Sequence, residues 1–224
     1  MLTFGRTSAC EVLAQLLRQS VRAPVFVWVD EAPELDVSRL PDGVCAVHGT
    51  FHGTARGVGA ARHAAVTAAI AWAGLSDDGA LILVDDDDFY ARQHVARTLE
   101  ALEGADFVTA HRFGLQREDG GPVEVHETDS GPCCHASWGV RVSAYKRAGG
   151  YQDTQVEDGA LARALGPCTG HRNLTHVRRK RPDGLMGCGY DRALIRAMAT
   201  RTTSLAPEWT LECERLDRIV RALA

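Results

Sequence analysis

Leu81-Ile82-Leu83-Val84-Asp85-Asp86-Asp87-Asp88 is the stretch on which the reading of this chain turns. Four aliphatic residues of the buried type end abruptly in four carboxylates. An unbroken Leu/Ile/Val run suits a strand covered on both faces, as in a parallel sheet. Adjacent aspartates repel one another and are poor strand formers, so the strand should stop there. Ligands of open α/β sheets bind outside the carboxyl ends of the strands. Clustered carboxylates at such a place suit a hard divalent cation and, through it, a diphosphate. A solvated acidic turn, ahead of a helix beginning near Tyr90, accounts for the same letters, and both readings stand at this point.

The flanks supply the architecture. Ser8-Ala9-Cys10-Glu11 has capping-box spacing, and Val12, Leu13, Leu16 and Leu17 follow at helical intervals. Only Leu2-Thr3-Phe4 is available ahead of that helix for a first strand. Val25 to Val29 is a strong strand, and it too ends in carboxylates, Asp30-Glu31. Val44 to Val47 predicts a further short strand, and residues 49–57 a loop. Val58 to Ala73 predicts a helix closed by Gly74. Ala91 to Leu102 predicts the next helix and Asp106 to Phe113 the next strand. This alternation predicts an α/β fold with a mainly parallel central sheet flanked by helices.

Beyond Gly114 the pattern changes. Glu118-Asp119-Gly120-Gly121-Pro122 predicts a hairpin turn with Val123-Glu124-Val125 as its second strand, a small antiparallel element. Trp138 to Val142 reads as a strand, Ser143 to Arg147 as a short helix, and Glu157 to Leu165 as a longer one. Residues 166–189 should be loop and strand, and Leu211 to Leu223 a closing helix.

The 224 residues fit one domain, and 45% hydrophobic content supports a sizeable core. A net charge of -4 argues against binding nucleic acid through a globally basic surface. No apolar run approaches the ~20 residues that span a bilayer, so no transmembrane segment is expected. The opening residues lack the apolar core of a secretory signal. Seven cysteines, an odd number without framework spacing, suggest a reduced, cytoplasmic protein. Cys133-Cys134-His135 with Cys168-x-x-His171 matches no zinc-finger spacing.

Several short motifs then fall in order. Thr3-Phe4-Gly5-Arg6 follows the first strand, and Val29-Asp30-Glu31 ends the second. Gly57-Val58-Gly59-Ala60-Ala61-Arg62-His63 opens the long helix, and Val84 to Asp88 ends the next strand. Ala148-Gly149-Gly150-Tyr151-Gln152-Asp153 makes a turn, and Glu157-Asp158 opens a helix. In this order the chain resembles the family 2 glycosyltransferases, which have the nucleotide-diphospho-sugar transferase (GT-A, Rossmann-like) fold. The resemblance covers about residues 2 to 165, and it departs from the family pattern at Gly5, Glu31 and His63. It implies one GT-A domain over 1–224, with residues 1–114 the nucleotide-sugar-binding half. Residues 115–224 are then the acceptor-side half with the closing helix.

The implied reaction is an inverting, metal-dependent transfer of a sugar from a nucleoside-diphosphate sugar, a UDP-sugar first, to an acceptor hydroxyl. Asp85 and Asp87 are the implied ligands of Mn²⁺ or Mg²⁺, since alternate residues of an extended chain face together. Asp86 with Asp88 is the other pair, Asp88 is a third candidate ligand, and Asp86 takes a ribose-side role. His176 is a candidate ligand from the tail, with His171 as competitor. Thr3, Phe4, Arg6, Asp30, Glu31 and Arg62 are implied on the donor side. Asp158 is the implied catalytic base, with Glu157 beside it, although acids in a first helical turn are also favoured by the helix dipole. Trp138 could form an acceptor platform by stacking, although a core tryptophan is the commoner outcome. Arg178 and Arg179, in the basic run 178–181, could hold an anionic acceptor or the donor diphosphate. The acceptor is open among a glycan, a lipid-linked sugar, a small molecule, a protein and a modified nucleic-acid base. A non-catalytic nucleotide-sugar-binding protein is the alternative of another class. A sugar nucleotidyltransferase is a third, for which Gly5-Arg6-Thr7 is a meagre phosphate loop.

Overall fold

A computed structural model of the chain describes residues 1–3, 8–30, 44–49, 58–116, 123–128, 135–154, 157–172, 175–179 and 201–204. The first half runs β1 (Leu2–Thr3), α1 (Ser8–Leu16), β2 (Val25–Asp30), β3 (Val44–Gly49), α2 (Val58–Ala73), β4 (Ala80–Ile82), β5 (Phe89–Tyr90) and α3 (His94–Ala101). β6 (Phe107–Ala110), β7 (Arg112–Gln116), β8 (Glu124–Glu127), a 3₁₀ turn (His135–Ser137), β9 (Gly139–Arg141) and α4 (Val142–Arg147) follow. α5 (Glu157–Leu165), β10 (Thr169–His171), β11 (His176–Arg179) and β12 (Arg201–Ser204) complete the described elements.

The described residues form a mixed α/β arrangement with three small sheets rather than one mainly parallel sheet. β1, β2 and β3 pair in parallel. The second sheet has the order β10-β6-β9-β4, with β9 antiparallel to both of its neighbours. The third has the order β12-β8-β7-β11-β5 and is antiparallel except where β11 meets β7. The expected hairpin is present as β7 and β8, with Leu115 opposite Glu124.

Two expected boundaries are corrected. The strand expected over Asp106–Phe113 is two strands, broken at His111. The His111 N–H donates to the His171 carbonyl, and its own carbonyl accepts from Thr128, both at 2.9 Å. One residue thus bonds to both sheets, and the chain changes sheet there. The helix expected near Tyr90 begins at His94, because Phe89 and Tyr90 pair with Val177 and His176 as β5. The expected closing helix at Leu211–Leu223 lies outside the described residues. No helix among the described residues is long and apolar enough to cross a membrane.

Two cores meet at the stretch 81–84. Leu81 and Leu83 pack with Phe107, Trp138, Val140, Tyr145, Tyr151 and Leu161. Ile82 and Val84 pack on the other side with Val12, Leu13 and Leu16 of α1 and with Val25, Val27 and Val29 of β2. Side chains of an extended chain alternate between faces, so a run apolar at every position is what two-sided burial demands. Trp138 is only 1% exposed and meets Phe107 edge-on at 5.0 Å. It is a core residue and cannot serve as a stacking platform.

Candidate functional site

The acidic turn is held from three directions. β4 ends at Ile82, and residues 85–88 form a bridge and turn rather than a continued strand, so strict alternation does not apply to them. Burial nevertheless sorts them: Asp86 and Asp88 are buried, while Asp85 and Asp87 are partly exposed. Tyr90 closes the turn, because its phenol oxygen accepts from the Asp85 N–H at 2.8 Å. Burial, with Asp88 and Asp85 nearby, raises the phenol well above its ordinary pKa, so it stays protonated. The Tyr90 N–H donates to Gln15 Oε1 at 2.6 Å. Gln19 takes the Val95 N–H at 3.0 Å and donates to the Ala91 carbonyl at 2.9 Å. Two buried glutamines, Gln15 on α1 and Gln19 just beyond its end, thus satisfy backbone groups that would otherwise be stranded inside.

The end carboxylates of the run go to opposite partners. Asp88 Oδ2 lies 2.7 Å from His176 Nε2, and both side chains are inside the protein. The His176 ring stacks on Tyr90 with centroids 5.4 Å apart. Asp85 instead faces α2, where Arg62 Nη2 approaches its Oδ1 at 3.3 Å. Arg62 Nε also lies 3.9 Å from Glu157 Oε1 on the first turn of α5. His135 joins them, with Nδ1 3.4 Å from Asp85 Oδ1 and Nε2 2.7 Å from Arg62 Nη1. The Tyr151 hydroxyl contacts the same Nε2. In the neutral tautomer whose Nδ1–H donates to Asp85, the single Nε2 lone pair accepts from Arg62 or from the Tyr151 hydroxyl.

Local backbone needs explain the glycines in these motifs. Gly59 lets the first turn of α2 approach the segment ahead of α5; a Cβ there would strike the Gln152 carbonyl and come within 2.8 Å of Glu157 Cβ. Gly149 and Gly150 have φ of 77° and 72°, the left-handed region that favours glycine. They turn the chain so that Tyr151 points back to His135.

The electrostatics follow from this crowding. Burial alone would lower the Arg62 pKa, but Asp85, Tyr151, Asp158 and Glu157 together raise it, so the guanidinium stays charged. Burial and the adjacent Arg62 lower His135, against the pull of Asp85, which keeps the imidazole neutral. Burial raises Glu157, and Asp158 beside it adds to the effect, while Arg62 opposes it. Burial also lowers the Met1 ammonium to about 6, with Asp85 and Asp86 pulling the other way. Asp85 and Glu157 therefore flank one buried cation, and Asp158, the more exposed of the α5 pair, adds its charge to the same surroundings.

Of the predicted site residues, Asp85, Arg62, Glu157 and Asp158 are brought together. His176 is brought to the turn, but against Asp88 and within a nest of histidines that includes His94 and His171. Thr3 lies opposite Val29, and Asp30 ends β2 opposite Gly49. Arg178 and Arg179 lie on β11 opposite Leu115 and Gln116. Phe4, Arg6 and Glu31 are outside the described residues. His135, Tyr151, Tyr90 and Gln15 were not singled out as site residues. The signal for Tyr90 was its place directly after the acidic run; the signal for Gln15 was a polar residue on the apolar face of α1.

Among the described residues, no group of three or more His, Cys, Asp or Glu side chains is arranged to hold a metal ion by itself. Two partly exposed carboxylates, Asp85 and Asp87, do suit a cation that takes the rest of its shell from phosphate oxygens and water, as Mg²⁺ does. No protein-family model matches the chain, and no curated protein matches it.

Proposed function

We propose that the chain is an inverting glycosyltransferase that uses a nucleoside-diphosphate sugar. The observation that carries the reading is the pairing of Arg62 with Asp85, from the acidic strand end, and with Glu157, from the first turn of α5, where Asp158 is the next residue. On this reading Asp85 stands on the leaving-group side of the displacement and the α5 acids on the acceptor side. Asp85 and Asp87 would hold Mn²⁺ or Mg²⁺, which when bound neutralises charge on the departing diphosphate.

The chain's own residues have the remaining tasks. Asp158, partly exposed, takes the proton of the acceptor hydroxyl as its oxygen bonds to the anomeric carbon and the bond to the diphosphate breaks. Glu157, buried and facing Arg62, is suited to positioning. Arg62 counters the carboxylates, and its network with His135 and Tyr151 keeps it aimed. Tyr90 holds the backbone of Asp85 in place.

A pair of variants tests the division of labour. Asp87→Ala should abolish cation-dependent binding of UDP and GDP in calorimetry while the protein stays folded. Asp158→Asn should keep that binding and lose sugar transfer. Nucleotide binding that is indifferent to Asp87, or turnover that survives Asp158→Asn, would remove the reading.

A further inference from the structure

Arg62 has one guanidinium and two carboxylates to serve. Its Nη2 donates to Asp85 Oδ1 at 3.3 Å. Its Nε stands 3.9 Å from Glu157 Oε1, too far for a hydrogen bond. That Nε–H is buried and has no hydrogen-bond partner among the described residues. A buried donor left unmet is unfavourable, so the present position is not the best one the guanidinium could take. A shift of about 1 Å toward α5 would bring Nε into hydrogen-bond range of Glu157. His135 Nε2, 2.7 Å from Nη1, and the Tyr151 ring, centred 6.0 Å from the guanidinium carbon, flank the side chain.

The Asp85 contact matters to any ion that uses the same carboxylate. A carboxylate can pair with a guanidinium or ligate a divalent cation. Doing both sets two positive charges a few ångströms apart. At that separation the repulsion of a divalent ion by a guanidinium amounts to about tenfold or more in affinity, even at the dielectric of water. The two carboxylates of Arg62 differ in just this respect: Asp85 is partly exposed on the acidic turn, whereas Glu157 is buried.

We propose that Arg62 is a two-position cation that competes for Asp85: it pairs with Asp85, as in this structure, until a divalent ion takes that carboxylate, and then withdraws onto Glu157. This rests on the reading of Asp85 and Asp87 as the cation ligands. Withdrawal is favoured from both ends, since it relieves the repulsion at Asp85 and gives the buried Nε–H an acceptor. A bare divalent ion therefore binds weakly, and entry together with a diphosphate is favoured because the diphosphate charge offsets Arg62. Occupancy at Asp85 is also felt at the first turn of α5, where Asp158 follows Glu157.

The test uses the full chain and Mn²⁺ alone, with the free ion counted by electron paramagnetic resonance. Arg62→Met should bind Mn²⁺ about tenfold or more tightly than the unchanged chain. Arg62→Lys, which keeps the charge, should stay within about threefold of it. Asp87→Ala, added to Arg62→Met, should lose the binding. A second measurement leaves Arg62 in place. The arginine Nε–H signals of the unchanged chain are followed by nuclear magnetic resonance as Mg²⁺ is added, and the Arg62 signal is assigned by its loss in Arg62→Met. That signal should move to lower field, as a new hydrogen bond to a carboxylate requires, and should stay still in Asp87→Ala. Binding that needs Asp87 but is no tighter in Arg62→Met, or equally tighter in both Arg62 variants, would overturn the proposal and leave the cation assignment standing. An Arg62 signal unmoved at saturating Mg²⁺ would do the same. Binding indifferent to Asp87 would remove the cation assignment and the proposal with it.

Discussion

Arg62→Met removes the cation that faces Asp85 and Glu157 and keeps most of the aliphatic stem. The arginine side chain is 17% exposed, Glu157 is 5% exposed and Asp85 is 30% exposed. Breaking a fully buried pair costs about 3–5 kcal/mol, because a charge is left without compensation. The Glu157 contact is long, at 3.9 Å, which places its share near the bottom of that range or below, about 2 kcal/mol. Asp85 is screened by water and adds less than about 1 kcal/mol. The expected loss at pH 7.5 is thus about 3 kcal/mol, a fall of about 6–12 °C in melting temperature for a chain of this length.

The loss should depend on pH in a defined direction. Burial already raises the Glu157 carboxyl above its ordinary 4.5, and Arg62 opposes that shift. Without Arg62 the folded pKa rises further. A folded state that holds a proton more tightly than the unfolded one is favoured below the unfolded pKa, and that advantage is lost as pH rises through the folded value. The deficit of Arg62→Met should therefore be smaller at pH 5 than at pH 7.5. Urea unfolding at both values measures it. A deficit below about 1 kcal/mol at pH 7.5, or one equal at the two pH values, would refute the account of Arg62 as the counter-charge of buried Glu157.

Two further outcomes follow from the packing around the acidic turn. Gly59→Ala should destabilise the chain by about 1–3 kcal/mol, seen as a lower urea midpoint, because the new methyl group meets the Gln152 carbonyl and Glu157 Cβ. Tyr90→Phe leaves the Asp85 N–H without its 2.8 Å acceptor. It should cost about 1–3 kcal/mol in the same assay and weaken cation-dependent nucleotide binding without abolishing it.

Much of the local structure was legible because its causes are local. Val58–Ala73 and Glu157–Leu165 form helices over the residues expected, since Gly74 and the acids at 157 and 158 mark their ends. The two-sided burial of Leu81 to Val84 was likewise readable from an apolar run with no polar alternation. The sheets were not, because pairing is decided between distant segments. Phe89-Tyr90 looks like the lead-in to a helix until β11, more than eighty residues later, pairs with it. His111 carries no turn signal, yet its backbone joins two sheets.

The site divides along the same line. Asp85, Glu157 and Asp158 announce themselves as clustered acids, whereas their common partner depends on where α2 lies over the sheet. His135 and Tyr151 belong to that partner's surroundings, and neither stands near Arg62 or Asp85 in the sequence. Asp88 was a third candidate ligand after Asp85 and Asp87; its burial against His176 sets it apart from them.

The most direct test of glycosyl transfer is the loss of each nucleotide sugar, followed by mass spectrometry, when it is incubated with the purified chain and Mn²⁺. The account predicts that one donor, a UDP-sugar first, is consumed with release of its nucleoside diphosphate, and that chelating the metal or introducing Asp87→Ala stops this. Consumption that persists without metal, or release of pyrophosphate from a nucleoside triphosphate instead, would contradict it.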